Sequence, residues 1–187
     1  MDIKISIPTS LNDITIEQYF AINSISEQDL TDYEKENELI KLFTKIEQVE
    51  AILKKDRDKL VAAIIEAVQK EGTFKNRFTL GNIEFGMIPN FDKITASEYT
   101  DLIKYSEKEQ DLHRLMAVAF RPIKLKDKFK NYQIVNYSGT HELCELMKQT
   151  PMSILKGFNA FFLNLSNDLE AYTRKSMEEA QAKATAL

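Results

Sequence analysis

The spacing of the apolar residues changes along this chain of 187 residues, and the change limits the folds open to it. Over most of the length, apolar residues recur every three or four positions, the spacing of one face of an α-helix. Around Gly81 and Asn82, two short runs alternate apolar and polar residues instead, as strands do. The pattern predicts an α+β fold that is predominantly helical, with a small antiparallel sheet and a hairpin near residues 76–88.

Several local signals place the ends of these elements. Thr15 and Thr95 each precede a helical run in the arrangement of a capping box, so both predict a helix start. Gly72 lies where a helix C-terminal glycine is expected. Pro122 predicts that the helix before it stops at residue 121. Alternating or extended runs predict further strands at residues 3–7 and 132–137. A helical stripe is also predicted at residues 39–53, with a kink near Thr44. A later helix is predicted at residues 141–149.

The last part of the chain predicts a long helix. Pro151 suits a first helical turn, and its missing N–H group is not needed there. The apolar positions after residue 174 are mostly alanine, which favours helix but has little to bury. We therefore expect a mixed helical domain with a small sheet over residues 1–150. Residues 151–187 should form a long C-terminal helix, packed in its first half and projecting at its end.

Composition excludes several classes of protein. A hydrophobic content of 43% is enough for a core, and a single cysteine cannot form an internal disulfide. The start of the chain lacks the pattern of a signal peptide, and no apolar run approaches the roughly 20 residues of a membrane span. We expect no membrane partner and a location in a cytoplasm, or in an assembly built there.

Sequence motifs for catalysis and for cofactor binding are missing. The five glycines form no phosphate-binding loop, and no nucleophile elbow or zinc-protease motif occurs. His141 and Cys144 could share one helix face, but a zinc site would need two more ligands and the only other histidine is His113. We expect an exposed His141, a buried Cys144, no metal, no cofactor, no catalytic residue and no enzymatic activity.

One segment is strongly basic against a net charge of −4. Its basic residues are Arg121, Lys124, Lys126, Lys128 and Lys130. On an extended segment the four lysines would share one face, which would suit contact with nucleic-acid phosphates or an acidic protein. The alternative is an edge strand or exposed loop that its lysines protect against strand pairing. Arg121 is expected to pair with a helix carbonyl or an acid instead.

An aromatic cluster on the last helix is a second candidate for partner binding. Its members are Phe158, Phe161, Phe162 and Leu165. Large apolar side chains at helical spacing can anchor a helix in a partner's groove. The alternative is that the same side chains pack into the domain and leave only the alanine-rich end free.

Several of these segments together resemble a known group of proteins. They are Phe-Arg-Pro-Ile at 120–123, Tyr-x-Ile-x-x-Tyr at 132–137, and the runs at 8–15, 85–102 and 157–165. With these segments the chain resembles small proteins from the structural gene clusters of tailed bacteriophages. Some of these are tail assembly chaperone-like, and others are virion components, including those of crAss-like phages.

The resemblance implies a non-enzymatic assembly protein that binds other phage structural proteins. It leaves open a component of the mature virion, such as a head–tail connector, ring or packaged cargo protein. The basic segment Lys124–Lys130 adds the alternative of a nucleic-acid-associated protein. A homo-oligomer is also left open. The implied location is the host cytoplasm during assembly, or the virion.

Overall fold

The fold is α+β and predominantly helical, as the sequence predicts. The computed structural model describes residues 7–129 and 131–164, and all that follows concerns these residues. Six helices lie within them: α1 Ile16–Glu27, α2 Asp32–Thr44, α3 Lys54–Gln69, α4 Ala96–Ser106, α5 Leu112–Ala119 and α6 Cys144–Met147. A seventh helix, α7, is described over residues 152–164. The strands are β1 Arg77–Leu80, β2 Ile83–Met87, β3 Phe120–Lys126 and β4 Tyr132–Ile134.

Capping boxes start three of the helices. The Thr15 hydroxyl accepts a hydrogen bond from the Gln18 backbone N–H, and the Gln18 side chain accepts from the Thr15 N–H. Thr95 and Glu98 make the same exchange at the start of α4. Each box satisfies helix N–H groups that otherwise lack a partner. Both predicted starts are confirmed, and a third box, at Thr31, starts α2.

The sheet is antiparallel throughout, with strand order β1-β2-β3-β4. The predicted hairpin is confirmed, and Gly81 takes a positive φ of 54° in its turn. Helix α5 ends at Ala119 and β3 follows directly, so the predicted helix stop at residue 121 is two residues late. Pro122 fits in a strand because its carbonyl still accepts from the Val135 N–H at 3.0 Å. Strand β3 pairs with β2 at residues 120–122 and with β4 at residues 123–126, so within the described sheet its lysine-bearing half is paired on one side only.

Several other boundaries differ from the prediction. The stripe over residues 39–53 is interrupted rather than kinked, because α2 ends at Thr44 and Lys45 takes the left-handed conformation with φ 59°. The predicted helix at 141–149 is reduced to the four residues of α6. The predicted strand at 132–137 ends at Ile134. The strand predicted at 3–7 falls almost wholly outside the described residues, as does the projecting end of the last helix.

The main core lies between one face of the sheet and helices α5 and α7. Phe120 on β3 packs against Phe78 at a ring-centroid distance of 5.1 Å and against Phe158 on α7 at 5.4 Å. Burying large aromatic side chains in this way removes much apolar surface from water and stabilises the fold. A smaller core joins α2 and α3 and is formed by Ile40, Val49 and Val61.

Two glycines allow the backbone of residues 72–74 to pass directly against the backbone of α7. A Cβ atom on Gly72 would lie 2.5 Å from the Ser153 carbonyl oxygen, and one on Gly157 would lie 2.5 Å from the Phe74 backbone nitrogen. Neither distance is compatible with a side chain. Helix α3 already ends at Gln69, so Gly72 is not its C-terminal glycine as predicted, but a residue required by this crossing.

Candidate protein-binding surface

The basic segment changes from buried to exposed along β3. Phe120 and Arg121 are buried, whereas Lys124, Leu125 and Lys126 are exposed. The register with β4 shifts between Ile123 and Leu125, which is a β-bulge that interrupts the alternation of faces. We call residues 123–129 and 131–135 the β3–β4 arm.

The turn of the β3–β4 arm is built around one carboxylate. Asp127 accepts hydrogen bonds from the backbone N–H groups of Phe129 at 2.8 Å and Asn131 at 2.9 Å. The Asn131 side-chain amide donates to the second carboxylate oxygen at 2.7 Å. These bonds hold the pKa of Asp127 below its ordinary value, and the bond from the Asn131 side chain has the largest effect. The turn is therefore fixed locally, without burying the residues at its tip.

Large apolar side chains are exposed on the β3–β4 arm. Phe129 is 73% exposed and Leu125 57% exposed, and Val135 is also exposed. An open depression of about 450 Å³ lies beside Leu125 and is lined by Leu125, Lys126, Asp127, Asn131, Tyr132 and Gln133. Exposed aromatic and aliphatic groups on one short segment, with polar residues between them, are typical of a surface that binds another protein.

The described lysines of this segment are divided between the strand and the turn. Lys124 and Lys126 lie in β3, and Lys126 forms an ion pair with Glu84 of β2. Lys128 lies in the turn, with its ammonium 5.1 Å from the centre of the Phe129 ring. One shared face is expected only of an extended segment, and the strand ends at Lys126. Lys130 lies outside the described residues.

Arg121 does not belong to this surface. Its Nη2 donates to Glu98 Oε1 at 2.5 Å, and both side chains are only 7% exposed. Burial raises the pKa of Glu98, but hydrogen bonds from Thr95 and the charge of Arg121 outweigh burial and bring it below its ordinary value. Arg121 pairs with an acid, as expected, and the pair ties the start of β3 to the start of α4.

A tyrosine–aspartate pair lies next to this ion pair. The Tyr137 hydroxyl donates to Asp101 at 2.5 Å, and the Arg121 guanidinium carbon lies 5.6 Å from the centre of the Tyr137 ring. Burial and the Asp101 carboxylate raise the pKa of Tyr137 far above its ordinary value. The phenol therefore stays protonated and donates, which holds the chain after β4 against α4.

The aromatic cluster of the last helix packs into the domain. Phe158 is fully buried, so it cannot touch a partner. Phe161 stacks on Phe74 with ring centroids 4.7 Å apart, and Phe162 stacks on Phe158 at 5.7 Å. These contacts favour the interpretation of the cluster as core. Leu165 lies outside the described residues.

The residues considered for metal binding have a different arrangement from the expected one. His141 is exposed, as expected, but Cys144 is half-buried rather than buried, and its thiol contacts the His141 carbonyl oxygen at 3.6 Å. The structure places Cys144 beside His113 of α5 and beside Glu145. Spacing along the chain could not reveal His113 as a neighbour, because it lies on another helix.

Within the described residues, none of the helices combines the length and the apolar character needed to cross a bilayer. Comparison of the chain with the models of known protein families, with curated proteins and with solved structures finds no match in any of the three.

Proposed function

We propose that this protein is a non-enzymatic bacteriophage assembly protein that binds other phage structural proteins through the β3–β4 arm. The observation that carries the proposal is the exposure of Phe129 on a turn that Asp127 orders, and of Leu125 in the strand that leads into that turn. Such a turn presents its apolar groups without a large loss of conformational freedom on binding.

The chemistry of the β3–β4 arm favours an acidic partner with an apolar pocket. Fully burying a phenylalanine contributes about 1.5–3 kcal/mol, and a central aromatic residue often dominates an interface. Exposed Lys124 and Lys128 would steer an acidic surface toward the Phe129 ring. Strand β4 has only one neighbour within the described sheet, so its outer edge could also accept a strand from the partner.

The phage assignment is supported by the resemblance carried by residues 120–123 and 132–137. Both segments lie in or next to the β3–β4 arm. Two roles fit a surface of this kind: a tail assembly chaperone, which leaves before the particle is complete, and a virion component, which stays. Mass spectrometry of purified virions distinguishes them, because a chaperone is missing from the finished particle. The same measurement separates the host cytoplasm from the virion as the final location.

Photocrosslinking tests the proposal directly. A photoreactive amino acid placed at Phe129 in infected cells should crosslink the protein to a phage structural protein. The matched control is Leu53, which is equally exposed at 73% but lies at the start of α3, outside the arm. Equal crosslinking from both positions, or crosslinking to no phage protein from Phe129, would contradict the proposal.

Nucleic-acid binding is the second candidate function. The observation in its favour is Phe129 itself, an exposed aromatic ring among lysines, on which a base could stack. Replacing Lys124, Lys126, Lys128 and Lys130 by glutamine should then abolish binding to single-stranded DNA and remove its salt dependence. Binding that persists in this variant would exclude the candidate.

A further inference from the structure

Three potential metal ligands meet where α5 packs against α6. A ring nitrogen of His113, the Sγ atom of Cys144 and a carboxylate oxygen of Glu145 all lie within 4.8 Å of one another. They come from two elements, α5 and α6, that are distant in sequence and joined here by packing. This juxtaposition is independent of the β3–β4 arm.

His113 also carries an unsatisfied polar atom. Its side chain is only 8% exposed, and Nδ1 is buried without a hydrogen-bond partner among the described residues. A buried polar atom without a partner is unfavourable by about 1–3 kcal/mol, so a native protein normally supplies one. The ring is already packed edge-on against Phe20, at a centroid distance of 5.7 Å, which limits its other orientations.

One carboxylate oxygen of Glu145 is available as a metal ligand. Glu145 uses Oε2 to accept from the Lys148 ammonium at 2.7 Å, and its other oxygen can face a cation.

We propose that His113, Cys144 and Glu145 bind one divalent transition-metal ion of the zinc type. Nitrogen, sulfur and oxygen ligands of this kind are those that Zn²⁺ takes. Tetrahedral bonds of about 2.0–2.3 Å place ligand atoms roughly 3.3–3.8 Å apart, so the side chains need to close in by about 1 Å. On binding, the Cys144 thiol releases its proton to solvent, and the thiolate becomes the ligand.

The site leaves a fourth coordination position for water or for a group from a partner, because the Glu145 side is exposed. Its consequence for the fold is local. Helix α6 has only four residues and cannot be stable alone. A metal ion held jointly by α5 and α6 would fix α6 in place.

Cobalt(II) is the probe, since it occupies zinc sites and reports its ligands optically. The full-length protein should bind one Co²⁺ with a thiolate-to-cobalt charge-transfer band and with the intense visible bands of tetrahedral cobalt. Zn²⁺ should displace it. A wild-type protein that shows no thiolate band on saturation with Co²⁺ would overturn the proposal.

Variants identify the ligands. Cys144→Ser should abolish the thiolate band, and Glu145→Gln, at an exposed position that should not disturb folding, should weaken Co²⁺ binding at least tenfold. The matched controls are His141→Ala and Glu142→Gln, exposed neighbours outside the cluster, which should leave affinity unchanged. A loss in His141→Ala as large as that in Glu145→Gln would contradict the assignment, as would wild-type affinity in Glu145→Gln.

Discussion

Gly86 shows how closely single residues are fitted in the sheet. The ring of Tyr132 covers Gly86 so tightly that a Cβ atom there would collide with it. The Tyr132 hydroxyl donates to the Met87 carbonyl oxygen at 2.9 Å, which fixes the ring in that position. The β2–β3–β4 part of the sheet therefore depends on a residue without a side chain at position 86.

We predict that Gly86→Ala destabilises the protein by about 1–3 kcal/mol, because the added methyl group displaces the Tyr132 ring. Chemical denaturation measures this free energy. In a Tyr132→Ala background, the same substitution should have a much smaller effect, since the colliding ring is gone. An equally large effect in both backgrounds would show that the ring is not the cause.

The Glu98–Arg121 pair gives a second prediction at this scale. Removing one partner of a buried ion pair leaves the other unpaired, so Glu98→Gln should destabilise by about 3–5 kcal/mol at pH 7. The folded pKa of Glu98 lies below its ordinary value of 4.5, so its stabilisation is present above that pH and is lost as the pH falls through the folded value.

The stability difference between wild type and Glu98→Gln should therefore shrink below about pH 4.5, as measured by urea denaturation at several pH values. The Glu142→Gln variant is a control at an exposed carboxylate. A difference that is constant from pH 7 to pH 3 would argue against the ion pair as its source.

Residue-level prediction from sequence succeeds where the interaction is local. The Thr95–Glu98 box spans one helical turn, so its residue types suffice to predict it. The partner of Arg121 could be predicted as a helix carbonyl or an acid, but not as Glu98, because only tertiary packing joins the two residues. The contact between His113 and Cys144 had no sequence signal for the same reason.

At the scale of elements, the β3–β4 arm combines a strand that starts in the core with an exposed tip. Sequence periodicity predicts helices better than it predicts this strand, because α5 and β3 share one uninterrupted apolar run. A run of that kind carries no period that separates helix from strand. The bulge after Ile123 was also unpredictable, since it depends on pairing with β4.

We predict that Asp127→Ala loosens the turn of the β3–β4 arm with little effect on global stability. It removes the acceptor of the Phe129 and Asn131 backbone N–H groups, so these amides should exchange with solvent at least several-fold faster. Hydrogen exchange measured by NMR checks this. Asp58→Ala, at an exposed aspartate on α3, should leave both amides unchanged; unchanged rates in Asp127→Ala would contradict the assigned role.

At the scale of the whole molecule, helix α7 and the sheet enclose one main core, and α2 and α3 add a smaller one. Phe158 lies in the centre of the main core, in contact with Phe120 and Phe162. The sequence predicted the helix and its apolar stripe but left open whether the stripe faces the domain or a partner. Periodicity identifies an apolar face and does not identify what covers it.

We predict that Phe158→Ala destabilises the isolated protein by about 3–5 kcal/mol, as expected for a large cavity in a core. Phe129→Ala should change stability by less than about 0.5 kcal/mol, because that side chain is exposed. Thermal and chemical denaturation of the two variants provide the comparison. The opposite order would assign Phe158 to a partner surface and Phe129 to the core.

The crossing at Gly72 and Gly157 determines when the main core can fold during synthesis of the chain. The segment after α3 leaves the ribosome before the helix that it contacts, which is described from residue 152. Contacts between residues so far apart in sequence form late, because a long loop must close first. Folding of the main core is thus postponed until α7 has been translated. During that interval, the apolar face of the sheet that later receives Phe158 is open to chaperones of the cell.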